Sequence, residues 1–224
     1  RPSRCAMASL LDRKLRRDLL ALKSQAVAVA LVMACGLAMM IMTRSLIRSL
    51  NTARDAYYQQ NRFADVFASL KRAPDGVVDR LRALPGVAAV EPSLTLRVNL
   101  DVPGRAEPAR ALINSVPDHR EMVLNRLYLR TGRRWGADSR NEALLGEAFA
   151  EANGIRPGDT LSAILNGRKV DLRIAGIVLA PQFVFEAPPG AALPDNRSFA
   201  VLWMRERELA EAYQLDGAFN NVAI

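Results

Sequence analysis

Ser24-Gln25-Ala26-Val27-Ala28-Val29-Ala30-Leu31-Val32-Met33-Ala34-Cys35-Gly36-Leu37-Ala38-Met39-Met40-Ile41-Met42-Thr43 decides how the rest of the chain is read. These 20 residues carry no charge, and Ala26–Met42 is unbroken apolar sequence. A helix rising ~1.5 Å per residue spans about 30 Å over this length, the thickness of a bilayer's hydrocarbon core. A buried helix of a soluble protein normally keeps polar residues on some face; Ala26–Met42 keeps none. The stretch predicts a transmembrane helix over residues 24–43.

The flanks predict its direction. Arg1, Arg4, Arg13, Lys14, Arg16, Arg17 and Lys23 precede the run; Arg44, Arg48, Arg54 and Arg62 follow it more thinly. The positive-inside rule then keeps the N-terminus cytoplasmic and sends the chain from about residue 44 outside the membrane. The charge balance agrees. The 224 residues carry +8, but residues 1–48 hold nine Arg/Lys against two Asp, and residues 49–224 hold 22 basic against 21 acidic side chains. The excess lies beside the apolar run, which marks membrane orientation and excludes a nucleic-acid partner. A chain that is 50% hydrophobic is too apolar for disorder, and two cysteines, Cys5 and Cys35, make no disulfide scaffold.

Within the run, Ala26, Ala30, Ala34 and Ala38 recur every fourth residue and line one stripe, a candidate surface for helix packing in the membrane. The same spacing also arises in a chain that is simply rich in alanine. Before the run, Leu11, Leu15, Leu19 and Leu22 share a face opposite Arg13, Arg16 and Arg17, so residues 1–23 predict a helix lying on cytoplasmic membrane lipid. Met7 is a candidate true start. Arg16-Arg17-Asp18-Leu19-Leu20 partly resembles a twin-arginine export signal, and Val32-Met33-Ala34-Cys35 a lipoprotein processing site. Against cleavage, the run exceeds the ~7–15 residues of a signal core and no small-x-small site follows it. Thr43–Arg48 instead continues the helix.

Past the membrane, Leu46, Leu50, Ala53 and Tyr57 keep helical spacing, which predicts a stalk over residues 44–62. Phe63–Leu70 is an expected strand. Pro74 is expected to open a helix presenting Val77, Val78, Leu81 and Leu84, ended by Pro85-Gly86. Val87–Val90 and the alternating Ser93–Val102 are expected strands, and Pro103-Gly104 turns the second into Arg110–Val116. Residues 117–141 show no clear period. Glu142–Leu145 predicts a strand, and Glu147–Asn153 a helix with a left-handed cap at Gly154. Thr160–Leu165 and Lys169–Val178 form a hairpin about Asn166-Gly167. Phe199–Trp203 has the composition of a strand buried on both faces, Glu206–Tyr213 of a helix, and Phe219–Ile224 of a strand. The irregular alternation predicts an α+β extracytoplasmic domain of two lobes over residues 63–224.

Chemistry-bearing motifs are few. No Walker A or dinucleotide glycine pattern is present, so the chain itself binds no ATP and needs no cofactor. His119 is the only histidine and sits in a solvated Asp118-His119-Arg120 context, and no His/Cys cluster offers a metal site. The carboxylates are interleaved with arginines as in a solvated surface, and the chain does not read as an enzyme. Arg133-Arg134-Trp135 either stacks on a ligand or binds phosphate, or forms a surface turn with one packed aromatic. In the loop Pro181–Gly190, Phe183 and Phe185 are candidate partner or substrate contacts; alternatively both finish the preceding strand and bury.

A basic interfacial helix, one transmembrane helix with a stalk and then an α+β domain is an uncommon order. Together with Asn141-Glu142-Ala143-Leu144-Leu145-Gly146-Glu147-Ala148-Phe149-Ala150, followed by Gly154-Ile155-Arg156-Pro157-Gly158-Asp159-Thr160-Leu161 and the strand Arg173–Val178, it resembles the FtsX/MacB-type permeases of ABC transporters from about residue 9 onward. The resemblance implies further membrane helices, so that this chain is an N-terminal portion. It also implies an ABC ATPase subunit that binds ATP, and a second permease copy forming a dimer. ATP-driven movement would be transmitted to the outer domain for export or extraction of a lipid, lipoprotein, peptide or drug. The competing expectation is a single-pass anchored binding or sensor domain.

Overall fold

The computed structural model describes residues 13–15, 17, 18, 22–136, 139–184 and 195–224. The chain divides into two compact units, one up to Ala56 and one from Tyr57 to Ile224. Helix α1 runs from Lys23 to Gln60, 38 residues with none buried, and its last four residues fall in the second unit. Among the described residues it alone is long and apolar enough to cross a membrane. Cβ-branched and straight apolar side chains alternate with alanine, and no proline interrupts the backbone ladder. It ends two residues before the expected stalk boundary at Arg62, whose φ of 50° breaks the helix. The expected interfacial helix over residues 1–23 falls largely outside the described residues.

The second unit is α+β and holds two sheets. The smaller has the order β1 (Phe67–Pro74), β10 (Ala218–Ala223), β2 (Glu91–Ser93), all antiparallel. Helix α2 (Gly76–Arg82) supplies Val78 to its apolar cluster with Val90, Phe219 and Val222. The larger sheet has the order β5 (Tyr128–Gly132), β8 (Arg168–Leu179), β6 (Glu142–Gly146), β9 (Phe199–Arg205), β4 (Ala109–Val116), β3 (Thr95–Asp101), β7 (Thr160–Leu165). Because β7 also pairs with β8, six strands close on themselves and β5 stands outside the ring.

The long strand β8 makes this closure possible. Its first half, Arg168–Arg173, pairs antiparallel with β7 across the hairpin, and its second half runs parallel to β6. The two pairings meet at Arg173, opposite both Thr160 of β7 and Glu142 of β6, and inside the β6 pairing Ala175 is an extra residue opposite Ala143/Leu144. A bulge of this kind bends the strand and increases its twist, which helps the sheet to curl. Asn166 and Gly167 at the hairpin tip have φ of 46° and 79°, both left-handed, as a two-residue turn of this hand requires. β9 lies between parallel β4 and antiparallel β6 and is buried on both faces. Ala200, Leu202 and Met204 join one cluster with Phe149 of α3 (Glu147–Asn153) and Leu209 of α4 (Glu206–Tyr213). Phe199, Val201 and Trp203 join the other, with Leu127 and Ala180. Burial on both faces explains the unbroken apolar run. Gly154 caps α3 at φ 69°, ψ 23°.

Several expectations need correction. The strand expected at Phe63–Leu70 begins at Phe67 and extends to Pro74. Phe63 instead stacks on Tyr58, with ring centroids 4.7 Å apart. Pro74 closes β1 and does not open the helix, which starts at Gly76. Val87–Val90 forms no strand, although Val90 is buried. The alternation over Ser93–Val102 spans two strands in different sheets, because Leu94 turns its N–H and C=O to Ser115: Ser115 Oγ accepts from Leu94 N and Ser115 N donates to Leu94 O, both at 2.8 Å. β5 arises in the stretch without a readable period.

Candidate functional site

Between the two sheets of the second unit lies a cleft of about 650 Å³. Its polar floor forms where β3 leaves β2. Thr95 points its backbone away from β4, and the Asn220 side chain takes the place of a strand partner: Thr95 N donates to Asn220 Oδ1 at 2.7 Å and Asn220 Nδ2 donates to Thr95 O at 2.9 Å. The Thr95 hydroxyl then donates to Asn114 Oδ1 at 2.9 Å and accepts from Asn221 Nδ2 at 3.3 Å. Glu91, 3% exposed, is matched by Arg120 Nη2 at 2.5 Å and by the Val123 N–H at 2.6 Å. The apolar wall includes Leu96, Leu112, Met122 and Phe183.

Phe183, a contact candidate from sequence, lines this cleft. It sits in a 3-10 turn, Pro181–Phe183, half-buried, in a T-shaped contact with Trp203, ring centroids 5.9 Å apart and planes at 69°. Phe185 lies outside the described residues. Ala26, Ala30, Ala34 and Ala38 all lie on α1, unburied. Arg133-Arg134-Trp135 is engaged structurally: Arg133 is bound to Glu142, Arg134 donates to Leu127 O, and Trp135 packs on the second apolar cluster. His119 is exposed. Among the described residues no group of His, Cys, Asp or Glu is placed to hold a metal ion.

Sequence reading missed the cleft itself and the loop where α1 meets the domain. Arg62 O accepts from Asn125 N at 2.9 Å, Asn61 O from Arg126 N at 2.9 Å, and Asn125 Oδ1 from Ala64 N at 3.2 Å. Asn61 and Asn125 are both buried, and Asn125 has φ 52°. Their partners lie some sixty residues apart in sequence, so no local pattern announces them. Phe63 and Asn125 also line the cleft. Polar asparagine in a buried left-handed turn was the one available signal.

No family model matches the chain, and no curated protein matches it. Among solved structures it is similar to the extracellular domain of the noncanonic ABC-type transporter YknZ from Gram-positive bacteria. The two share 13% identity at a TM-score of 0.45, over 70% of this chain and 79% of that one. It is also similar to the periplasmic region of MacB from Actinobacillus actinomycetemcomitans, with 16% identity and a TM-score of 0.39 over 66% of this chain and 62% of that one. Identities this low leave activity, partners and substrate unassigned.

Proposed function

We propose that this chain supplies the first membrane helix and the extracytoplasmic domain of an ABC-transporter permease of the FtsX/MacB type. A partner ATPase binds the ATP, and a second permease copy completes a dimer. The N-terminus is cytoplasmic and the domain from Tyr57 onward lies outside the inner membrane. The observation that carries the reading is the continuity of α1: the uncharged run passes without a break into Arg44–Gln60, another ~25 Å of helix at ~1.5 Å per residue. Its last turn belongs to the domain's own compact unit and is followed at once by the pinned loop 61–64. A helix resists bending at this scale, so displacement within the membrane arrives at that loop. The cargo is a lipid, lipoprotein, peptide or drug, and the domain performs no chemistry on it.

The test is a Gly-Pro insertion after Asn51 in the assembled transporter. Spin labels at Glu107→Cys in the two copies, with Cys5 and Cys35 replaced by Ser, report the distance between domains. We expect nucleotide-dependent distance changes in the uninterrupted protein and none in the insertion variant, with ATP hydrolysis retained. Equal changes in both refute mechanical transmission. The second reading, a single-pass anchored binding module, is favoured by one feature, the cleft; absence of any co-purifying ATPase from native membranes would support it.

A further inference from the structure

Two arginines stand together, without a counter-ion, on the face of the larger sheet that turns away from its first apolar cluster. Val98 and Leu100 of β3 bury in that cluster, while Arg97 and Asn99 between them are exposed. Pairing with β4 sets Arg97 opposite Leu112 and Asn99 opposite Arg110, so the two arginines are diagonal neighbours on one face, about 7–8 Å apart at the backbone. Arg110 is exposed too, and neither arginine side chain has an ion-pair or hydrogen-bond partner among the described residues. Asp101, further along the same face of β3, is bonded to Lys169 Nζ at 3.0 Å. Like charges side by side across two strands are destabilising, a cost that an anion between them removes. Both arginines line one hollow of about 280 Å³ with Asn99, Leu112, Ile164 and Phe199, and no carboxylate among the described residues lines it. Ile164 is 46% exposed. Arg97 and Leu112 also line the cleft of about 650 Å³, so the hollow adjoins the wall that carries Leu96, Met122 and Phe183.

We propose that this face binds an anionic amphiphile. Its oxyanion headgroup is held between Arg97 and Arg110, and a single alkyl chain runs over Leu112 into the cleft, against Leu96, Met122 and Phe183. A guanidinium fork meets the oxygens of a carboxylate or a phosphate in pairs, and the Asn99 amide opposite Arg110 adds a donor. The cleft's volume falls within the ~300–1,000 Å³ of small-ligand sites. Carboxylate and phosphate-monoester headgroups share this chemistry. The site rests on the domain's own geometry, so its failure would leave the permease reading standing.

Equilibrium dialysis of the full chain in phosphatidylcholine nanodiscs, with empty nanodiscs subtracted, tests this. Octanoate and octyl phosphate are titrated separately, beside octanol, acetate and inorganic phosphate. The expected result is saturable binding of octanoate, octyl phosphate or both, which identifies the headgroup. Octanol, acetate and inorganic phosphate should each bind at least about ten-fold more weakly, since each lacks either the charge or the chain. Arg97→Gln with Arg110→Gln should weaken the octyl anion at least about ten-fold, the value of losing charge-assisted hydrogen bonds. Both side chains are exposed and bond nothing among the described residues, so the double variant should melt as the parent does. Arg80→Gln, at an exposed arginine of α2, should leave binding unchanged. The proposal is overturned if neither octyl anion binds saturably, or if octanol or a tailless anion binds as tightly. It is overturned equally if the double variant binds as the parent does, or if Arg80→Gln weakens binding as much.

Discussion

Gly132 and Gly176 face each other across β5 and β8, and neither tolerates a side chain. A Cβ on Gly176 would lie 2.7 Å from Arg133 O and 2.8 Å from Leu129 Cδ1; one on Gly132, which has φ +83°, would lie 2.5 Å from Ala175 O. Because most of the obstruction is backbone, Gly176→Ala is expected to cost about 2–4 kcal/mol and lower the domain's melting temperature by roughly 5–15 °C. Gly76 meets nothing within 4 Å and opens α2, so Gly76→Ala should be neutral or raise stability by up to about 1 kcal/mol. Thermal melts of the two variants separate close approach from a general intolerance of alanine.

Buried Glu142 and half-buried Glu206 carry opposite signs. Hydrogen bonding from Arg133, helped by Ser139 and the Gly136 backbone, holds the Glu142 carboxyl below its ordinary value of 4.5 against the opposing effect of burial. Its stabilising contribution is therefore present above pH 4.5 and is lost as pH falls through the lower folded value. Glu142→Gln should melt lower than the parent at pH 7, and the gap should close only below pH 4.5. Burial raises Glu206 first of all, with Asp75, Asp118 and Glu91 adding to it and Arg120 opposing. Its ionised form is thus a penalty at neutral pH, relieved as pH falls through the raised value. Glu206→Gln should melt higher than the parent at pH 7 and lose that advantage in acid.

At the scale of elements, what could be read from sequence was what is locally determined. Glu147–Asn153, its Gly154 cap, the Asn166-Gly167 hairpin, β7 and Glu206–Tyr213 follow from period, turn chemistry and caps within a few residues. The errors cluster where a distant partner sets the boundary: Leu94 is taken out of its strand by Ser115, and Phe63 out of β1 by stacking on Tyr58. β5 is held by its pairing with β8 and not by any pattern of its own, being mostly exposed. The cleft was illegible for the same reason, since Thr95, Asn114, Trp203 and Asn220 converge from four separate strands and the sequence between them is long. The alanine stripe remains an expectation with its own test. Ala30→Ile with Ala34→Ile should reduce self-association of the chain in membranes if the stripe packs against a second copy, whereas Ala28→Ile on the opposite face should not; analytical cross-linking in native vesicles reads the difference.

The whole molecule is proposed to work as a lever whose end is gripped by the domain it moves. Asn125 is the residue on which that grip depends most, since its side chain holds Ala64 and its backbone holds Arg62. Asn125→Ala loses the side-chain bond and meets strain at φ 52°, so a stability loss of about 1–3 kcal/mol is expected. The nucleotide-dependent distance change between domains should shrink with it, even at temperatures where the variant is fully folded. An effect on stability with an unaltered distance change would make the loop a structural staple only.

Placement of the chain across the bilayer tests the account most directly. Cysteine is introduced at exposed Glu107 and, in a separate variant, at Arg17, each with Cys5 and Cys35 replaced by Ser, and whole cells are treated with a membrane-impermeant maleimide before and after lysis. The account predicts that position 107 labels while the cytoplasmic membrane is intact, that position 17 labels only after lysis, and that alkaline carbonate leaves the chain in the membrane. Labelling of position 17 before lysis, protection of position 107, or release of the chain into the carbonate wash would contradict it.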